Sequence, residues 1–220
     1  MKSKFFKTYF VAIAVAVFVF VFDMLTKYLL IGSLIPNVGD SASFIEGFIN
    51  FVHVQNFGAS WGIFGGQTWL LIIISIVITA VLLWFYISKL KNSKSEKNGI
   101  DILLSVTIGF VVGGCLGNLY DRLVFGYVRD FINFQFMDFP VFNIADSAIT
   151  IGVVLFIIYF IIGFVKEAKA EKKKKEALKM EVGQTSQVAQ EEKEVENSKD
   201  EKAGENNDKN DKNNDKSSKN

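Results

Sequence analysis

The stretch TWLLIIISIVITAVLLWFYIS, residues 68–88, contains no charged side chain. A helix that is apolar on every face has to be surrounded by apolar material, and in a short chain that surrounding is lipid. Crossing a hydrocarbon layer takes roughly 20 mainly apolar residues in a helix. Three further runs are long enough, near 9–31, 102–120 and 141–165, and the run ILLSVTIGFVVGGCLGNLY has no charge between Asp101 and Asp121. Together they predict a membrane all-α bundle of four transmembrane helices occupying residues 1–165.

The rest of the chain has the opposite character. From Lys166 onward 55 residues hold no aromatic side chain yet carry 14 of the 24 basic and 14 of the 23 acidic residues. A segment of this kind cannot bury enough apolar surface to offset the entropy of ordering its backbone. Residues 166–220 are therefore predicted to be a disordered, solvated cytoplasmic tail, with KEAKAEKKKKEALK able to extend the preceding helix for a few turns. Its near balance of charge gives no reason to expect nucleic-acid binding.

The first apolar run follows Lys2, Lys4 and Lys7 and contains Ala12, Ala14 and Ala16, as a secretory signal peptide can. Those alanines lie too early, and the run continues through Phe22 without a small-residue cleavage pattern after it. It is read as a span. Basic residues near helix ends favour the cytoplasmic side. Lys2, Lys4 and Lys7, then Lys89, Lys91, Lys94 and Lys97, then KEAKAEKKKK mark one side, while residues 32–67 contain no Lys or Arg. Both termini are accordingly expected in the cytoplasm, with 32–67 and 121–140 outside.

With that topology the unusual polar residues converge on one membrane face. Asp23 and Lys27 fall in the outer third of the first helix, Asn118, Asp121 and Arg122 end the third, Asp130 lies in the outer loop, and Asn143 and Asp146 open the fourth. An aspartate at mid-helix costs roughly 2.5–3.5 kcal/mol on insertion scales, less near the interface. Asp146 could be a helix cap at the positive end of the helix dipole, or part of a site. Asp23 with Lys27 and Asn118 with Arg122 are four apart, and Asn143 with Asp146 three apart, so each pair can share a helix face. For Asp23 with Lys27 the spacing favours structural pairing over direct chemistry. Gly109, Gly113 and Gly117 give the third helix a smooth strip for close approach of a neighbouring backbone.

Outside the membrane, the β-branched and aromatic residues around Phe48 to Val54 suggest short strands, with a turn at the glycines after Asn56. FINFQF, Phe131 to Phe136, suggests another. This small extracytoplasmic β-rich element would rest on the membrane surface, with Trp61 and Trp69 near the interface.

At these residues the sequence resembles a known family, the lipoprotein signal peptidases or signal peptidase II. The resemblance is carried by FDMLTKYLL at 22–30, NFGASWGIF at 56–64, GGCLGNLYDRLVFGYVRDF at 113–131 and FNIADSAI at 142–149. It implies an aspartic endopeptidase of the bacterial cytoplasmic membrane, with its active site at the outer face. Such an enzyme cuts signal peptides from diacylglyceryl-modified prolipoproteins just before the lipidated cysteine. Asp130 and Asp146 match the catalytic pair, Asn56, Asn118, Arg122 and Asn143 match polar positions of the active site and its surroundings, and Asp23 and Lys27 look like support residues. Ser60 stands where many relatives have alanine. The resemblance implies no cofactor and no metal, and the partners expected are lipid-modified prolipoproteins and membrane lipids, acted on by a monomer.

The chemistry suits such a pair. Two close carboxylates cannot readily both ionise, so they share a proton. The ionised member can deprotonate a water, and the protonated member can polarise the carbonyl and later protonate the leaving nitrogen. Other chemistries fit less well. His53 and Cys115 are the single histidine and cysteine, too few for a zinc cluster, and His53 has no triad partner evident from spacing. A transporter or channel would continue its polar residues toward the inner face, where the second and fourth runs have almost none. A non-catalytic membrane scaffold would leave the converging Asp and Asn residues unexplained.

Overall fold

The computed structural model describes the backbone of residues 2–58, 65–92 and 98–214, and side chains at 6, 8–58, 65–91 and 100–180. Trp61 and Ser60 lie outside the described residues, as do the basic positions Lys94 and Lys97. The element order is α1 (Lys2–Leu29), continued as π-helix over Leu30–Leu34, then β1 (Ser41–Ile45), β2 (Ile49–Asn56), α2 (Thr68–Asn92), α3 (Asn98–Phe125), β3 (Val128–Phe134) and α4 (Ile144–Asn214).

Residues 1–162 form one compact unit. All four helices contain a stretch long and apolar enough to cross a membrane. They are not equivalent. About 56% of the apolar window of α3 is buried, against 17%, 11% and 17% for α1, α2 and α4, so α3 is the helix the others pack around. The glycines explain how. A Cβ on Gly109 would sit 2.6 Å from Val15 Cβ, one on Gly113 2.6 Å from the Ala16 carbonyl oxygen, and one on Gly114 2.5 Å from the Ala145 carbonyl oxygen. Gly109 and Gly113 admit the α1 backbone and Gly114 admits α4, as small residues do where membrane helices touch. The outward faces keep Phe10, Phe18, Trp84 and Phe160 exposed, which in lipid is the apolar surface a bundle needs.

At one end of the bundle Ala12, Tyr86, Leu90, Leu104, Ile108, Val112 and Tyr159 form a buried apolar cluster. The Tyr86 hydroxyl is satisfied internally, lying 2.9 Å from Ser105 Oγ and 3.0 Å from the Thr8 carbonyl oxygen. Ile31, Ile35 and Phe131 make a second core between the end of α1 and the sheet. The sheet itself is antiparallel in the order β1-β2-β3.

The sequence places two of these strands near, but not at, their observed bounds. The strand expected around Phe48 to Val54 is β2, and that expected at Phe131 to Phe136 is β3, which begins three residues earlier because Val128 pairs with Asn56 and Asp130 with Val54. Asp130 therefore sits in a strand, not in a loop. The fourth apolar run begins at 141, yet the helix starts at Ile144, because Phe142 is held extended by hydrogen bonds with Phe131 and Ile132.

The second unit, residues 163–220, is the charged tail. The backbone of α4 is helical to Asn214, beyond the few turns that KEAKAEKKKKEALK predicts. Its described side chains from Phe164 to Met180 are all exposed, and Lys172 with Glu176 makes only an exposed contact of 4.0 Å. Ala, Glu and Lys have the local propensity to carry a helix on without a packed face.

Candidate active site

The start of α4 organises the site. Asn143 precedes the helix and caps it: its Oδ1 accepts the Asp146 N–H at 2.9 Å, while Asp146 Oδ2 accepts the Asn143 N–H at 3.2 Å. This reciprocal exchange satisfies two donors that a helix start otherwise leaves open. The other carboxylate oxygen, Oδ1 of Asp146, accepts Nδ2 of Asn118 from α3 at 2.7 Å. Asn143 is fully buried, and its own Nδ2 donates to Asn118 Oδ1 at 3.0 Å and to Asp130 Oδ1 at 2.6 Å. One asparagine thus donates to both carboxylates, from its side-chain amide to Asp130 and from its backbone N–H to Asp146.

Asp130 arrives from β3. The ladder between β2 and β3 slips between Phe51 and Val54, where three steps along β2 oppose two along β3. Such a bulge re-aims side chains, and beyond it Asn56 falls on the same face as Asp130. Asn56 Nδ2 donates to Asp130 Oδ2 at 2.9 Å. Its Oδ1 is already taken by the Gly58 N–H at 2.9 Å, a local turn that leaves the amide NH₂ directed at the carboxylate.

These contacts set the electrostatics. Burial pushes the Asp130 carboxyl up to about 7, and the nearby Asp146 carboxylate adds to the rise, while hydrogen bonds from Asn56 and Asn143 and the charge of Lys27 oppose it. A carboxyl group in that position exchanges its proton near neutrality, as a general acid or base requires.

Beside Asp146 lies a cavity of about 550 Å³, reaching from Asn56, Gly58, Asn118 and Arg122 to Ser75, Cys115 and Ile149 between the helices. Arg122 donates to the Gly58 carbonyl oxygen at 3.3 Å. Asn118 and Arg122, on one face of α3 as their spacing predicts, both line this cavity.

Beneath the pair runs a chain of buried charge. Lys27 Nζ lies 2.7 Å from Asp23 Oδ2 and 3.0 Å from Asp121 Oδ2, all three side chains being fully buried. Asp23 Oδ1 accepts the Ala145 N–H of the first turn of α4 at 2.9 Å. Asp121 in turn accepts the Arg129 backbone N–H at 3.0 Å and its guanidinium Nη2 at 2.7 Å. Asp23 and Lys27 are therefore paired with each other, as their spacing favours, and sit behind the carboxylates.

All eight residues singled out from the sequence as site candidates gather here: Asp23, Lys27, Asn56, Asn118, Arg122, Asp130, Asn143 and Asp146. Sequence reasoning did not single out Arg129. The available signal is electrostatic: Asp121 near the carbonyl end of an apolar helix calls for cations beyond Lys27, and Arg129 is the next basic residue after Arg122. His53 lies buried in β2, and neither ring nitrogen has a hydrogen-bond partner among the described residues. Cys115 is a free thiol on the cavity wall.

Known proteins are similar to this chain in sequence and in overall fold. A family profile described as signal peptidase (SPase) II matches residues 15–162. A lipoprotein signal peptidase of Staphylococcus haemolyticus is 37% identical over 173 residues, covering 78% of this chain and 99% of that protein. One of Enterococcus faecalis is 34% identical over 140 residues, 64% of this chain and 81% of that protein. A bacterial membrane enzyme solved by the in meso method at 2.3 Å resolution is 40% identical, with a TM-score of 0.59, over 68% of this chain and 87% of that one.

Proposed function

Since the chain belongs to the signal peptidase II family, it is a membrane peptidase that processes prolipoproteins, and we propose that Asp130 and Asp146 are its catalytic pair. The reaction is removal of the signal peptide from a diacylglyceryl-modified prolipoprotein, by hydrolysis just before the lipidated cysteine. The observation that carries the site assignment is the Asn143 bridge, its amide on Asp130 at 2.6 Å and its backbone N–H on Asp146 at 3.2 Å.

In the proposed mechanism the substrate peptide enters the cavity beside Asp146 with its scissile carbonyl near both carboxyl groups. The ionised member of the pair takes a proton from a water as the water attacks that carbonyl carbon, and the protonated member hydrogen-bonds the carbonyl oxygen. The tetrahedral intermediate collapses when the leaving nitrogen receives a proton from the pair. The two roles belong to the pair as a unit, because neighbouring carboxyls titrate together. Asn56, Asn118 and Asn143 hold the carboxylates in position, Arg122 lies on the cavity wall within reach of substrate carbonyls, and Asp23 with Lys27 supports the start of α4. The side of the cavity lined by Phe134, Phe139, Val141 and Phe142 is apolar and suits a lipidated chain.

The basic residues flanking the spans support an orientation with both termini in the cytoplasm and the pair at the outer face. A monomer suffices, because every group in the mechanism comes from one chain. The apolar cluster at the other end of the bundle favours a one-sided site over a conducting path.

The test is purified protein in lipid or detergent with a diacylglyceryl-modified prolipoprotein, product size being followed by gel. The native chain should release the mature lipoprotein, and Asp130→Asn and Asp146→Asn should each insert normally yet fail to cleave. Substantial turnover by either variant at matched amounts would remove that aspartate from the pair.

A further inference from the structure

Asp121 and Arg129 have no role in the reaction above, yet they are joined to each other by side-chain and backbone contacts. Asp121 is fully buried near the C-terminal end of α3. A carboxylate is disfavoured there twice, by loss of water and by the negative end of the helix dipole. Its compensation comes from two separate elements, Lys27 of α1 at 3.0 Å and Arg129 of β3 at 2.7 Å. The Arg129 guanidinium also touches both Asp121 oxygens through Nε, at 3.2 and 3.3 Å. Its carbon lies 4.4 Å from the centre of the Phe125 ring, a cation–π contact.

The connectivity is more telling than the strength. Arg129 immediately precedes Asp130 in β3, and Asp121 holds that residue by its backbone N–H as well as its side chain. At the other end of the chain of charges Asp23 accepts the Ala145 N–H, and Ala145 immediately precedes Asp146. The run Arg129–Asp121–Lys27–Asp23 thus grips the chain one residue before each member of the pair. Gly117 leaves room for it, since a Cβ there would lie 2.5 Å from Asp23 Oδ2. Two carboxylates and two cations make the run neutral as a whole.

We propose that Asp121 and Arg129 are positioning residues of the reaction, which with Lys27 and Asp23 clamp β3 to the first turn of α4 and keep the charge behind the aspartate pair balanced. This rests on the assignment of Asp130 and Asp146 as the catalytic pair. Buried ion networks contribute less to stability than to fixing one arrangement, and here the arrangement fixed is the approach of two carboxyl groups.

Charge balance yields a signature that loss of stability alone does not. Among the described residues, the ionisable groups around the pair are Asp23 and Lys27 from α1, Cys115, Asp121 and Arg122 from α3, and Arg129 from β3, while β2 presents Asn56, which carries no charge. Asp121→Asn leaves an excess positive charge behind the pair, which favours its ionised form. Arg129→Gln leaves an excess negative charge, which favours its protonated form. The two substitutions should therefore move the alkaline limb of the activity profile in opposite directions.

The experiment measures cleavage of a diacylglyceryl-modified prolipoprotein from about pH 5 to pH 9 by the full chain in lipid. The native protein is compared with Asp121→Asn, Arg129→Gln and Arg129→Lys, with folded protein quantified in each. The expected result is a fall in kcat of about tenfold to a hundredfold with little change in KM. The alkaline limb should move by about half a pH unit, downward for Asp121→Asn and upward for Arg129→Gln. Arg129→Lys should bring the limb back toward its native place. The Arg129 side chain is 15% exposed, so its variants test the idea even if Asp121→Asn does not fold. Native cleavage with unmoved limbs, or limbs moving the same way, would overturn the inference alone. No cleavage by the native chain would overturn the peptidase reading and this inference with it.

Discussion

The two oxygens of Asp146 have different partners, the Asn143 N–H for Oδ2 and the Asn118 amide for Oδ1. The first contact is a helix cap and the second ties the residue to α3, so the structural and catalytic readings of this aspartate describe the two oxygens of one group. Asn143 separates the roles experimentally. Asn143→Ala removes the cap and the bond to Asp130, and should cost about 1 kcal/mol of stability as well as most activity. Asn143→Asp keeps an oxygen for the Asp146 N–H but loses the amide donor and adds a third carboxylate. Thermal unfolding should stay nearer native for the aspartate variant than for the alanine one, while both lose cleavage; an active Asn143→Asp enzyme would show that the bridge to Asp130 is not needed. The pH profile belongs to this scale too. Burial pushes Asp130 up to about 7, and once the pair gives up the proton it shares, no acid remains for the leaving nitrogen. Cleavage should therefore decline as pH rises through about 7, and a rate still climbing at pH 9 would contradict the shared proton. Spacing made Asn118, Arg122, Asn143 and Asp146 legible, because helical intervals of three and four put residues on one face. It could not reach Arg129, whose partner Asp121 is eight residues away across a chain reversal at Gly126.

Among the elements, the four spans were legible because hydrocarbon thickness dictates their length. Strand β1 was not, since SASFI is short, partly small and polar, and paired only on one side. The apolar run that predicts α4 begins three residues before the helix itself, because hydropathy ignores the bonds that keep Phe142 extended. The glycine strip of α3 carries a sharper expectation. A Cβ on Gly109 meets Val15 and the Ala12 carbonyl, whereas one on Gly117 meets the carboxylate of Asp23. Both alanine variants overpack the contact with α1 and should destabilise by about 1–3 kcal/mol. Only Gly117→Ala displaces the group that holds the Ala145 N–H, so at equal amounts of folded protein it should lose activity and Gly109→Ala should keep it. Equal kcat in the two would separate the support of α4 from catalysis.

At the scale of the molecule the chain divides into a bundle that holds every residue of the site and a charged helix that buries nothing in its described part. If the tail is cytoplasmic and the site external, truncation after Glu171 should leave cleavage by the purified protein intact, and loss of turnover in a normally inserted truncation would give the tail a part in catalysis. That expectation and the function both depend on orientation. Ser43 in β1 and Met137 after β3 are exposed on the side of the sheet elements, whereas Ser93 falls among the basic residues that favour the cytoplasm. Gly126 is a poor reporter despite its exposure, because its φ of +82° strains any other residue. With Cys115 first replaced by alanine, Ser43→Cys and Met137→Cys should react with a membrane-impermeant thiol reagent in intact cells, and Ser93→Cys only after permeabilisation. The sign of this asymmetry matters because the lipid anchor and scissile bond of the substrate are expected at the outer leaflet. Labelling at position 93 but not at 43 or 137 would turn the bundle over and carry Asp130 and Asp146 to the cytoplasmic face, where the same geometry would meet no lipidated precursor.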